Sequence, residues 1–164
     1  MAVISSSRIQ AVWQLLDNVY DPEVPVLSVS DLGIVRKVEV EDDKVVVAIT
    51  PTYSGCPAMD VIAMQIRMLL VQSGFREVVI EKVLAPAWTT DWITDRGKSR
   101  LQAYGIAPPR YRAQAALFEE EGGVRCPHCQ SLHTHEISRF GSTACKALYQ
   151  CSDCNEPFDY FKCH

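Results

Sequence analysis

The chain has 164 residues, 48% of them apolar and 22% charged, with a formal net charge of -4. That length holds one domain with a real core, or one domain plus a small module. The composition argues against general disorder, and the acidic balance argues against a nucleic-acid surface, where basic side chains supply most of the affinity.

No run of about 18 apolar residues occurs, so no membrane span is expected. The start, "MAVISSSRIQ", lacks a charged n-region, a long apolar stretch and a small-residue cleavage site. The expectation is a cytoplasmic protein. "SSSRIQAVWQLLDNVYDPEVP" reads as a helix capped by one of Ser5, Ser6 and Ser7. Ile9, Val12, Trp13, Leu16 and Val19 recur at helical spacing, and Pro22 and Pro25 end the run.

"IVRKVEVEDDKVVVAIT" reads as a hairpin with its loop at "EDDK". Residues 57–73 form the strongest helical pattern, with Pro57 at the first position and Gly74 as the stop. "EVVIEKVL" is a third strand. The order α-β-β-α-β predicts an α+β domain with helices on one side of a small sheet. "APAWTTDW" is irregular, "DRGKSRLQAYG" is a short helix, and residues 107–124 read as a linker. The expected organisation is a domain over 1–106, that linker, and a separate module over 125–164.

The module carries Cys126 and Cys129 as one C-x-x-C pair and Cys151 and Cys154 as another. Two such turns on a small sheet offer four thiolates to one tetrahedral ion, a zinc ribbon. The 21 residues between the pairs slightly exceed the usual ribbon spacing of about 15–20. "HTHEIS" and "KALYQ" would be strands filling that gap. Two disulfides are the rival assignment, disfavoured without a secretory signal. Iron in the same thiolates is the second rival, and structural zinc is the reading taken. Cys145 and Cys163 read as small buried hydrophobes, with a second role left open. His133 and His135 fall on alternate strand positions and are expected to be solvated.

"PTYSGCP" isolates Cys56 between a glycine and a proline, after a strand and before a helix. A thiol at a helix N-cap faces free N–H groups and the dipole, which favour a thiolate; Asp60 opposes that shift. An exposed, exchanging thiolate and a buried structural cysteine both remain open on these grounds.

"DPEVPVLSVSDLGIV" followed by "TPTYSGCPAMD" resembles the signature of the SufT-type iron–sulfur assembly domain family. The likeness covers roughly residues 8–105 and rests on three ordered motifs: D-P-E-x-P, D-L-G and P-T-x-x-x-C-P. Beyond them, "APAWTTDW", "FGSTACKALY" and "EPFDYFKC" are similar to a family of accessory proteins of the multicomponent phenylacetyl-CoA epoxidase. The resemblance implies a non-enzymatic maturation factor in phenylacetate catabolism, helping to deliver an iron–sulfur cluster to a component such as the reductase. It implies Cys56 as an exposed transfer ligand, with Asp21, Glu23 and Asp31 charging its surroundings and Thr52 and Ser54 lining the loop.

A single cysteine cannot saturate a cluster that takes four ligands. Transient binding then needs a homodimer, a partner's thiols or a small thiol. The implied partners are protein components of the epoxidase system or its maturation machinery, with no nucleic acid and no membrane. The alternative is a ribbon that docks on protein without transferring a cluster. A thiol enzyme is a poor third, because no histidine precedes His128 to serve as a base.

Overall fold

The computed structural model describes residues 2–110 and 123–162. Most of the expected linker, Cys163 and His164 lie outside the described residues. The chain divides into two compact units, Met1–Trp88 and Thr89–His164.

The first unit runs α1 (Ala2–Leu16), β1 (Val35–Glu41), β2 (Lys44–Ile49), α2 (Ala58–Gln72) and β3 (Glu77–Lys82). β1 and β2 form an antiparallel hairpin through Asp42, whose φ is 48°. α2 is the crossover to β3, which pairs parallel to β2. The α-β-β-α-β order expected from the sequence is the observed one.

α1 differs at both ends from the sequence expectation. It starts at Ala2, so the serines proposed as caps lie inside it; serine costs only about half a kcal/mol in a helix interior. It stops at Leu16, well before Pro22. The Asn18 amide donates to the Gln14 and Leu15 carbonyls (3.1 and 3.4 Å), taking up acceptors that a helix end leaves free.

Val12 and Leu16 of α1, Val45, Val47 and Ile49 of β2, and Ile62, Ile66 and Leu70 of α2 are fully buried. β2 is the central strand, which is why "VVVAI" reads as a continuous apolar run rather than an alternating one.

The second unit contains a short 3-10 turn (Thr90–Trp92), α3 (Asp95–Tyr104), β4 (Ile106–Ala107), β5 (Thr134–Ser138), β6 (Lys146–Cys151) and β7 (Pro157–Phe161). Its sheet has the order β4-β7-β6-β5. β5 and β6 are the hairpin expected from "HTHEIS" and "KALYQ". β7 and β4 are additions that the sequence does not announce.

The division into compact units falls after Trp88, so that residues 89–106 go with the second unit. The reason is pairing: Ile106 and Ala107 lie beside Asp159 and Tyr160 of β7, which ties α3 and β4 to the ribbon sheet.

Candidate functional site

In the first unit the site is the loop between β2 and α2. Gly55 has φ +78°, a left-handed conformation that turns the chain into the helix. The Cys56 N–H donates to the Tyr53 carbonyl (3.2 Å), and the Met59 N–H reaches back to the Cys56 carbonyl (3.3 Å). Pro57 occupies the N-cap, the position expected for Cys56. Because proline has no N–H, the first donor available to the thiol is that of Ala58.

The exposure that the resemblance implies for Cys56 is not what the structure has, and the thiol shift that the sequence left open goes upward. Cys56 is buried, with 9% exposure, and its thiol is held above the ordinary pKa rather than below it. Burial is the main cause, and the negative charges of Glu23 and Asp21 add to it. Hydrogen bonds from the Ala58 N–H and the Thr52 hydroxyl pull the other way but do not win. The thiol is the resting form at neutral pH.

The surrounding loop holds three of the other candidate residues. The Asp21 carboxylate accepts from the Glu23 and Val24 N–H groups (2.7 and 2.9 Å), closing the D-P-E turn. Asp31 is fully buried, with its N–H on the Ser28 hydroxyl (3.1 Å). The Thr52 hydroxyl hydrogen-bonds the thiol, and Glu23 and Asp21 act on it through their charge. Ser54 is exposed in the turn before it, and Asp31 is enclosed in the 20–34 loop.

Trp88 lies in "APAWTTDW", a stretch of the family resemblance to which the sequence assigns no role. Its buried indole N–H donates to the Leu32 carbonyl (2.8 Å), beside Asp31. The available signal is an aromatic residue in "APAWTTDW", but a bond across 56 positions leaves no local pattern.

In the second unit, the sulfurs of Cys126, Cys129, Cys151 and Cys154 all lie within 4.8 Å of one another. Cys126 and Cys154 are 3.8 Å apart, and Cys129 and Cys151 are 3.5 Å apart. A tetrahedron with metal–sulfur bonds of about 2.3 Å has edges of about 3.8 Å, so the donor set fits one ion. The same four cysteines are free thiols, not disulfides.

The two C-x-x-C turns are built alike. The residue after each second cysteine, Gln130 and Asn155, has positive φ (65° and 61°). The Cys126 N–H donates to the Ser131 carbonyl (2.9 Å), and the Cys151 N–H to the Glu156 carbonyl (3.1 Å). N–H groups of Cys154 and Asp153 hold the Cys151 thiol down to about 7. The Glu156 N–H favours the Cys154 thiolate, but burial and the neighbouring cysteines push that thiol up to about 12. A bound cation would favour the thiolate form of all four cysteines.

Asp153 joins the two turns. It accepts from the Ser131 hydroxyl, and His133 Nδ1 lies 3.1 Å from its other oxygen. The Ser152 N–H donates to the His133 carbonyl (2.7 Å). His133 and His135 are exposed, as expected of solvated residues. Cys145 is buried, its sulfur 3.1 Å from the Thr143 hydroxyl.

Comparison with known proteins gives matches along both units. Residues 9–80 match a family model described as "Iron-sulfur cluster assembly protein", and residues 111–162 match one described as "PaaD zinc beta ribbon domain". A curated Escherichia coli protein, named as a subunit of 1,2-phenylacetyl-CoA epoxidase, is 49% identical over 163 residues, covering 99% of this chain and 98% of that one. A Porphyromonas gingivalis protein named Fe-S protein maturation auxiliary factor is 37% identical over 90 residues, 54% of this chain and 85% of that one. A crystal structure of a domain of unknown function from Bacillus anthracis has the same fold over 62% of this chain and 97% of that one, with a TM-score of 0.59 at 23% identity. With an iron–sulfur assembly domain, a four-cysteine zinc ribbon and an epoxidase-system relative alike from end to end, the chain belongs to the PaaD family.

Proposed function

We propose that this protein is a non-catalytic maturation factor of the phenylacetyl-CoA epoxidase system in aerobic phenylacetate catabolism. It assists delivery of an iron–sulfur cluster to a protein component such as the reductase. The observation that carries this reading is the single thiol of the first unit, set in the β2–α2 loop, hydrogen-bonded by Thr52 and acted on by the charges of Glu23 and Asp21. Two carboxylates oppose a bare thiolate but favour a thiolate neutralised by iron.

Cys56 is the transfer ligand. Its proton leaves to solvent as the iron–sulfur bond forms; a client's thiolate later displaces Cys56 from the iron, and the Cys56 thiolate takes a proton back. Asp21, Glu23 and Asp31 set the charge of the surroundings, and Thr52 and Ser54 belong to the loop that must open. One sulfur leaves the remaining ligand positions of the cargo cluster to a partner, a second copy or a small thiol. Cys126, Cys129, Cys151 and Cys154 hold structural zinc, which supplies folding energy to a segment too small for its own core.

A second reading is a ribbon that docks on protein without moving a cluster. The burial of Cys56 favours it. One experiment separates the two. Cells carrying Cys56→Ala in place of the native copy are grown on phenylacetate as sole carbon source. Iron and sulfide in the purified reductase are then measured. Transfer through Cys56 predicts no growth and a cluster-poor reductase, with the variant folded by circular dichroism. Normal growth with a fully loaded reductase ends the transfer role.

A further inference from the structure

Gln102 to Ala107 precedes the ribbon cysteines in the chain, yet it is built onto them. α3 is a ten-residue helix (DRGKSRLQAY) capped by Thr94, whose side chain accepts from the Gly97 N–H (3.0 Å). It is mostly polar and fully buries one large apolar side chain, Leu101. Isolated helices shorter than about 12–15 residues are marginal in water even with favourable composition. α3 needs something to pack against.

Three contacts say what that is. The Gln102 side chain donates to the carbonyl of Pro127, inside the first C-x-x-C turn (3.2 Å). Gly105 ends α3 at φ +88°, and a Cβ there would lie 3.5 Å from the His128 ring, also in that turn. β4 then pairs with β7, and its Ala107 shares one apolar cluster with Cys126, Cys151 and Phe158. Two members of that cluster belong to the four-cysteine site.

We propose that α3 and β4 are part of the metal-dependent fold, so that loading of the four-cysteine site orders the chain back to Thr89. Without a cation, the two C-x-x-C turns lose their common ligand and keep only the Asp153 contacts to Ser131 and His133 and a small apolar cluster, too little to hold the surface carrying Pro127, His128, Cys126 and Cys151. α3 and β4 lose their support with it. Metal occupancy is then reported at the residue that follows Trp88, not only at the ribbon.

The test is hydrogen exchange on the full chain, zinc-loaded against chelator-stripped and reduced. Amides of residues 98–107 should lose protection by about a hundredfold or more on stripping, while those of β2 and α2 keep theirs. Retained protection of α3 in zinc-free protein overturns the proposal. Binding linkage supplies a second measurement, because what metal does for α3, α3 must do for metal. Gln102→Ala should weaken zinc affinity about two- to tenfold in equilibrium competition with a chromophoric chelator, the effect of one hydrogen bond. Wild-type zinc affinity in both Gln102→Ala and Ala107→Asp also overturns it.

Discussion

Cys56 combines a surface-loop sequence with a buried thiol, and the two facts make different chemistry. Because its pKa is raised, alkylation at neutral pH should be slow and should accelerate as the pH passes above the ordinary thiol range. Peptide mapping of zinc-loaded protein after iodoacetamide treatment at several pH values reads this directly; fast labelling at pH 7 contradicts it. The sign for stability follows from the same shift. A folded pKa above the unfolded one contributes stability below the unfolded value, which is lost as pH rises through the folded value. Cys56→Ala deletes one buried heavy atom and should cost about 0.5–1.5 kcal/mol by urea unfolding, more than a surface cysteine would. At the other site, Asp153 braces the two cysteine turns through Ser131 and His133. Partners that orient ligands typically change metal affinity by about 10–100-fold when removed. Asp153→Ala should therefore lose zinc faster in chelator competition, with its four thiolates intact.

Among the elements, legibility follows length and periodicity. α2 is readable because Met59, Ile62, Ile66 and Leu70 form a buried stripe at helical spacing, and Gly74 follows at φ +100°. The β1–β2 hairpin is readable from alternation around a charged turn. β4 is not: two residues have no period, and their strand character exists only in pairing with β7. β7 itself begins with Pro157, a residue that does not announce a strand, yet Phe158 and Phe161 are both buried. The metal site makes the sharpest element-level prediction. Cys126→Ser and Cys151→Ser should each lose stoichiometric zinc and melt the β5–β6–β7 sheet, since three thiolates leave an open and weaker site. Full zinc by elemental analysis in both variants would remove the four-cysteine assignment.

At the scale of the whole molecule, two compact units predict two stabilities. A fragment ending at Trp88 should unfold cooperatively in urea with a midpoint close to that of a fragment ending at Ile106, because residues 89–106 support the second unit rather than the first. A large gain in midpoint for the longer fragment would instead assign residues 89–106 to the first domain. The α-β-β-α-β order, the α+β class and the four metal-ligating cysteines could be read from the sequence alone. Hydrophobic period, turn chemistry and C-x-x-C spacing are local, and each is written in a few consecutive residues. The burial of Cys56, the action of Asp21, Glu23 and Thr52 on its thiol, the bond from Trp88 to Leu32 and the attachment of α3 to the ribbon were decided by tertiary structure. Each depends on residues brought together from distant parts of the chain, and desolvation or a charge neighbour has no sequence period to announce it.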